Sequence, residues 1–152
     1  MKENTVLDQP ATIKKKVRTV HNPSFDHQNS AAARVLRITE EDGLTRIDFV
    51  VYSRMFSWVN MQPGNFIRPV NTSIQLTMVQ AVNIPIAPGK HFFHSRDQAL
   101  YYTLYFPALP DDVVAIDIIE KEGGDQRNHR YFNFYGVSLE RIAREIIMVN
   151  NN

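Results

Sequence analysis

Cysteine is absent from this chain of 152 residues. Disulfide bridges, thiolate zinc centres and thiol nucleophiles are therefore excluded. An excess of charge of one sign is also lacking, since 17 Lys and Arg residues stand against 16 Asp and Glu residues. A chain this close to neutrality has no overall field that would select nucleic acid or an anionic membrane surface.

Long hydrophobic runs are missing as well. No segment approaches the ~20 apolar residues that cross a bilayer. The opening segment MKENTVLDQPATIKKK has no apolar stretch of the kind found in export signals. The sequence thus predicts no membrane span and a cytoplasmic protein. An extracytoplasmic location is the alternative if Met1 is not the natural start.

The chain is long enough for one domain with a sizeable core, because 43% of its residues are hydrophobic. Residues 1–33 are polar, basic and interrupted by turn residues. They are predicted to form an N-terminal basic arm or an edge strand, partly disordered. Residues 34–152 are predicted to form a β-sandwich domain.

Alternation of apolar and polar residues begins at residue 34 and predicts strands. No helical pattern is interleaved, so the fold class is all-β: an antiparallel β-sandwich of about seven strands. The tetrapeptide EEDG (40–43) indicates a hairpin between the first two strands. The predicted strand regions are 34–42, 44–54, 55–59, 72–88, 101–106, 113–120 and 131–139.

A short C-terminal helix is predicted from apolar residues at helical spacing in SLERIAREIIMV (138–149), with Ser138 as the N-cap. So short a helix must bury its apolar stripe to be stable. We expect it to close the open end of the sandwich, with a dimer contact as the alternative.

Carboxylates are concentrated in the segment VVAIDIIE (113–120). On a strand, Val114, Ile116 and Ile118 would face the core, and Asp117 would face outward. Glu120 has the parity of the inner residues but comes at the strand end, where we expect it to reach solvent. A glycosidase requires two facing carboxyls. This parity does not favour such a pair, and we interpret both acids as solvated and structural.

Three residues in HFFHSRD, namely His91, His94 and Asp97, have a spacing that could present zinc ligands on a helical turn. The segment follows Pro-Gly and lacks a helical stripe, so these residues are interpreted as surface loop residues. The metal site is kept only as a weak alternative, and no cofactor is predicted.

Exposed aromatics are the other candidates for binding. Tyr131 and Tyr135 could stack on bases or sugars, while Arg127 and Arg130 could meet phosphates. Nucleic acid is disfavoured because the net charge is near zero. Trp58 lies in an apolar segment that is either a ligand or partner patch or a core strand, and the core strand is favoured.

The segment LYFPALPDDVVAIDIIE (104–120), followed by FNFYGVSL (132–139), resembles a bacterial Ig-like β-sandwich module of unassigned function. That module combines an F-x-x-LP corner, an hDhIE strand (h, hydrophobic) and a closing F-x-h-YGh strand. The resemblance implies the fold and a frequent extracytoplasmic location, and it implies no catalytic residues. The matching residues are Phe106, Leu109, Pro110, Asp117, Ile119, Glu120, Phe132, Tyr135 and Gly136.

Taken from the sequence alone, the leading hypothesis is a non-enzymatic β-sandwich that serves as a protein-interaction or structural module. Its partner would be another protein or a second copy of the chain. The alternatives are an acid- or metal-dependent hydrolase and a carbohydrate- or nucleic-acid-binding module that uses the exposed aromatics.

Overall fold

The computed structural model describes residues 18–123 and 131–140, and its fold is all-β. Two antiparallel five-stranded sheets pack as a sandwich, and a two-stranded ribbon lies beside them. The described strands are β1 (Arg18–His21), β2 (His27–Gln28), β3 (Ala33–Glu41), β4 (Leu44–Tyr52), β5 (Trp58–Val59), β6 (Phe66–Pro69), β7 (Leu76–Thr77), β8 (Gln80–Val82), β9 (His91–Phe92), β10 (Ala99–Pro107), β11 (Ala115–Ile119) and β12 (Phe134–Ser138).

The first sheet has the order β1-β3-β4-β10-β8, and the second has the order β2-β12-β11-β6-β7. β5 and β9 form the ribbon. The long strands β3, β4 and β10 make up the centre of the first sheet, and β10 pairs with β4 along its whole length. The predicted sandwich of antiparallel sheets is confirmed, although short strands raise the count above the predicted seven.

The hairpin predicted at EEDG is confirmed. Glu41 pairs with Leu44, and Asp42 and Gly43 between them have φ angles of 50° and 77°. Two consecutive positive φ angles define a type I′ turn, whose twist matches that of the flanking strands. An Asp-Gly pair adopts this turn at little steric cost, which explains why the chain reverses here.

Alternate residues of β10, of β11 and of the segment that enters β12 form three rows in the core, as predicted for Ile116 and Ile118. The buried members of these rows are Leu104, Phe106, Ile116, Ile118, Phe132 and Phe134. Val114 was predicted to belong with them and does not, since its side chain is 49% exposed. The reason is that β11 begins only at Ala115, so Val114 lies outside the strand.

The region 72–88, predicted as one strand region, contributes to both sheets. β7 pairs with β6 in the second sheet, whereas β8 pairs with β10 in the first. Ile74, within this region, precedes β7 and is exposed. The chain therefore crosses between the two layers at Met78 and Val79.

The N-terminal region supplies an edge strand to each sheet. β1 pairs with β3, and β2 pairs with β12. Val20 and Ala32 are buried in the core. Residues 1–17 lie outside the described residues, and the division of the chain at residue 34 stays a prediction.

The predicted C-terminal helix falls mainly on residues 141–149, outside the described residues. Ser138 ends β12, and its Oγ accepts a hydrogen bond from Glu140 N at 3.1 Å. Within residues 18–123 and 131–140 there is no α-helix, only a 3-10 turn at Ser53–Met55. The described residues therefore contain no helix that could span a membrane.

Candidate functional site

An open pocket of about 430 Å³ lies beside the β5–β9 ribbon, where β11 ends and the chain approaches β12. We call it the Trp58 pocket. Its lining combines four aromatic side chains with several polar groups. The lining residues are Phe56, Ser57, Trp58, Val59, Asn60, Gln62, Glu120, Tyr131 and Phe132.

Trp58 is 39% exposed, so the interpretation of Trp58 as a core anchor is wrong. β5 has only two residues, and Val59 is the one that turns into the core. Trp58 pairs across the ribbon with Phe92, which is also exposed. Directly paired residues lie on the same face of a ribbon, so two large apolar side chains stand together at the surface.

Lysine ammonium groups lie over two of the aromatic rings. Lys90 Nζ is 4.5 Å from the ring centroid of Trp58, and Lys121 Nζ is 5.2 Å from that of Tyr131. Both distances fall within the range of cation–π attraction. The rings of the pocket are therefore placed where a cation can approach them.

Glu120 is buried, with only 5% of its surface exposed, and the expectation that it reaches solvent is wrong. Its Oε1 accepts a hydrogen bond from Phe132 N at 2.8 Å, and its Oε2 accepts one from Gln62 N at 3.1 Å. The segments around Gln62 and Phe132 fold over the end of β11 and cover the side chain. Strand parity carries no information about such loops.

Burial raises the pKa of Glu120 to about 7, because a charged carboxylate loses its hydration inside the protein. The hydrogen bonds from Phe132 N and Gln62 N favour the ionised form and act in the opposite direction. The carboxyl therefore exchanges its proton near neutral pH. This is the range in which a binding or catalytic group is most responsive.

Asn133 fixes the backbone that carries Glu120. Its Oδ1 accepts a hydrogen bond from Glu120 N at 2.8 Å, and its Nδ2 donates to Lys121 O at 3.0 Å. Asn133 N in turn donates to Asn29 Oδ1 at 2.8 Å. The acid at the base of the pocket is thus held by a polar frame that joins three parts of the chain.

Asp117 lies on the outer face of β11, as its parity predicted, but the interpretation that it is solvated is wrong, because its side chain is only 14% exposed. Arg68 forms an ion pair with it at 3.1 Å, and Gly136 N donates to its Oδ1 at 3.0 Å. Asp117 therefore links β11 to the strands on both sides. The two acids do not converge, and Glu120 is the only carboxylate among the described residues that line the Trp58 pocket.

The remaining candidates are dispersed. Tyr131 lines the pocket, whereas Tyr135 stacks on His27 with ring centroids 5.8 Å apart, on the β12–β2 pair. Arg127 and Arg130 lie outside the described residues.

The three residues considered for zinc are also not assembled into a site. The ring of His91 packs edge-on against Phe93, and His94 N donates to Gln98 Oε1 at 2.6 Å. In the part of the chain that the structure describes, no group of three His, Asp or Glu side chains could hold a metal ion.

A second pocket, of about 380 Å³, adjoins the Trp58 pocket and shares Phe56 and Ser57 with it. A third pocket, of about 550 Å³, adjoins the second and shares Arg54 and Arg96 with it. Both arginine side chains are exposed, and neither has a hydrogen-bond or ion-pair partner among the described residues. We call the three adjoining pockets the Trp58–Arg96 surface.

Sequence reasoning missed these arginines because two distant segments bring them together. Ser53 Oγ donates to Ser95 O at 2.8 Å and accepts from Gln98 N at 3.0 Å. These bonds join the turn after β4 to the loop before β10. Each segment contains a Ser-Arg dipeptide, but nothing in the sequence indicates that the two meet.

Comparison with known proteins gives no assignment, since no family model, curated protein or solved structure matches the chain. The structure establishes an all-β sandwich, and no family is assigned to it.

Proposed function

We propose that the protein is a non-enzymatic binding module that recognises a protein partner through the Trp58–Arg96 surface. One observation carries this proposal: three adjoining pockets present Trp58, Tyr131, Arg54 and Arg96 along one continuous surface. Tryptophan, tyrosine and arginine are the residue types that contribute most to protein–protein binding energy. The unpartnered guanidinium groups would pair with acidic groups of the partner.

Acid-dependent hydrolysis is a second candidate, favoured by the pKa of Glu120, which suits a general acid at neutral pH. A glycosidase also needs a second carboxyl across the scissile bond. Asp117 is engaged by Arg68 and Gly136 instead, so the pocket supports binding better than hydrolysis. Carbohydrate binding through Trp58 and Tyr131 is the alternative ligand class.

We also propose that the sandwich is of Ig-like type. Support comes from the residues that carry the resemblance, because each has a structural role. Phe106 and Leu109 of the corner are buried, Asp117 joins neighbouring strands, and Glu120 holds two loops. Such roles fit residues that a family would use to specify a fold.

Selection from a random peptide library displayed on phage tests the binding proposal. We expect peptides rich in acidic residues to be enriched on the wild-type protein and lost on Trp58→Ala and on Arg96→Ala. Tyr101→Ala is the matched control, since Tyr101 is an exposed aromatic of the first sheet, remote in sequence from Trp58 and outside the three pockets. Equal enrichment on wild type and Trp58→Ala would contradict the proposal.

Screening of oligosaccharides and single-stranded oligonucleotides against the same variants separates the other ligand classes. A glycan that binds wild type and not Trp58→Ala would replace the protein partner with a carbohydrate.

A further inference from the structure

We propose that the Trp58 pocket binds a cationic amine, such as the protonated or methylated side chain of a lysine presented by the partner. This inference rests on the proposed function and adds the chemical class of the group that enters the pocket. Three features carry it: a carboxyl without a cationic partner among the described residues, aromatic walls, and two lysines whose ammonium groups lie within cation–π distance of two of the rings.

Glu120 has acceptor capacity to spare. Each of its oxygens accepts one backbone hydrogen bond, whereas a carboxylate oxygen can accept two. No Lys, Arg or His forms an ion pair with Glu120 in residues 18–123 and 131–140. A buried carboxylate is stabilised by a cation placed beside it. An ammonium group entering the pocket would supply that charge, and one that carries an N–H group would also donate a hydrogen bond.

The walls of the pocket suit the same ligand. Phe56 and Phe132 meet edge to face with centroids 5.9 Å apart, and the rings of Trp58 and Tyr131 complete the lining. Aromatic faces attract cations through their quadrupoles, and several rings around one acidic group form a site selective for ammonium ions. A neutral ligand would lack the attraction between its own charge and an ionised Glu120.

Lys90 and Lys121 show that these rings attract ammonium groups, yet neither lysine lines the pocket. Their positive charge opposes the entry of a second cation. Replacing Lys90 by Met should therefore tighten the binding of a cation. The same change would weaken the binding of an anion. An increase or a decrease in affinity on this substitution therefore identifies the charge of the ligand.

The ionisable groups near Glu120 are Lys121, the next residue in the chain, Tyr131 in the pocket wall, and the buried phenol of Tyr102. Tyr102 stays neutral, because burial raises its pKa well above the usual value. Glu120 is thus the group whose charge changes near pH 7. Binding of a cation should favour its ionised form and release a proton.

The experiment compares choline with 3,3-dimethyl-1-butanol, which has the same shape and no charge. Trp58 is the only tryptophan, so its fluorescence reports directly on the pocket. We expect choline to bind about tenfold more tightly than the alcohol, with an affinity that rises as the pH increases through about 7. This comparison uses the wild-type protein and needs no variant to fold.

Two carboxylate variants complete the test. Glu120→Gln should remove most of the preference for choline, as well as its pH dependence. Glu122→Gln is the matched control, because Glu122 is exposed and pairs with Arg68 outside the pocket. This control variant should leave the preference for choline and its pH dependence unchanged.

Equal affinity for choline and the neutral alcohol would overturn the inference and leave the Trp58 pocket as a binding site of another specificity. Failure of choline to perturb Trp58 would also overturn it. Neither result bears on the peptide selection, so the proposed function stands or fails separately. Weaker choline binding by Lys90→Met would likewise contradict a cationic ligand.

Discussion

The acids Asp117 and Glu120 are three positions apart in the chain and have different physical roles. Asp117 lies on the outer face of β11, where Arg68 and Gly136 N compensate its charge. Glu120 follows the strand and is enclosed by loops that give it two N–H donors and no cation within the described part of the chain. Position on the strand sets the first role, and loop packing sets the second.

The raised pKa of Glu120 makes stability depend on pH. Between the ordinary value of 4.5 and about 7, the folded state holds a proton that the unfolded state has lost. The stabilisation present below pH 4.5 is therefore lost as the pH rises to about 7. We expect wild type to lose up to about 3 kcal/mol relative to Glu120→Gln over this range.

Urea denaturation of both proteins at a series of pH values measures this difference. A constant difference across the range would show that Glu120 has an ordinary pKa.

Ile118 tests the packing of the core at a single side chain. We expect Ile118→Ala to lower the free energy of unfolding by about 2–4 kcal/mol, because the side chain is buried and leaves a cavity. Val114→Ala is the control from the same segment. Its side chain is exposed, so we expect a loss of less than about 0.5 kcal/mol. Equal losses in chemical denaturation would contradict the observed burial.

Strands differed in how well the sequence predicted them. Alternation identified β3, β4, β10 and β11, whose side chains divide between the core and the outer face over five residues or more. β5 and β9 have two residues each, too few for a period to be recognised. The strand region predicted at 55–59 contains β5, but its pairing with β9 was not predicted, and the tryptophan was assigned to the core by its hydrophobicity alone.

The backbone conformation at residue 136 explains why the closing strand has a glycine there. Its φ angle is +66°, and a Cβ at this position would collide with the carboxylate of Asp26. We expect Gly136→Ala to cost at least about 1–2 kcal/mol, the penalty of a left-handed conformation for a residue with a Cβ. Gly64→Ala is the control, because its Cβ would meet nothing within 4 Å and its φ is not positive. Similar melting temperatures for the two variants would contradict this account.

At the scale of the molecule, the layered fold could be predicted and the site could not. Two layers follow from alternation and from turn residues, which are local properties of the sequence. The Trp58–Arg96 surface depends on five separate regions, near residues 31–32, 52–62, 93–99, 120 and 131–132. Their meeting is fixed by hydrogen bonds such as those of Glu120, Asn133 and Ser53.

A chain that starts at residue 34 tests the predicted domain boundary. It would lack β1 and β2, which are one edge strand of each sheet, as well as the buried side chains of Val20 and Ala32. We expect this shortened protein to lose cooperative thermal unfolding, as followed by circular dichroism and compared with the full chain. A sharp transition at the same temperature would show that residues 34–152 are sufficient for folding.

The two-residue turn at Asp42 and Gly43 has a consequence for the order in which the protein folds. β3 and β4 can pair immediately, whereas β10 must find β4 across the whole intervening chain from Ser53 to Gln98. Closing so long a loop is slow, and the hairpin that forms first offers the free edge of β4 for β10 to pair with. Strain introduced by Gly43→Ala should therefore slow refolding in stopped-flow measurements and leave the unfolding rate almost unchanged.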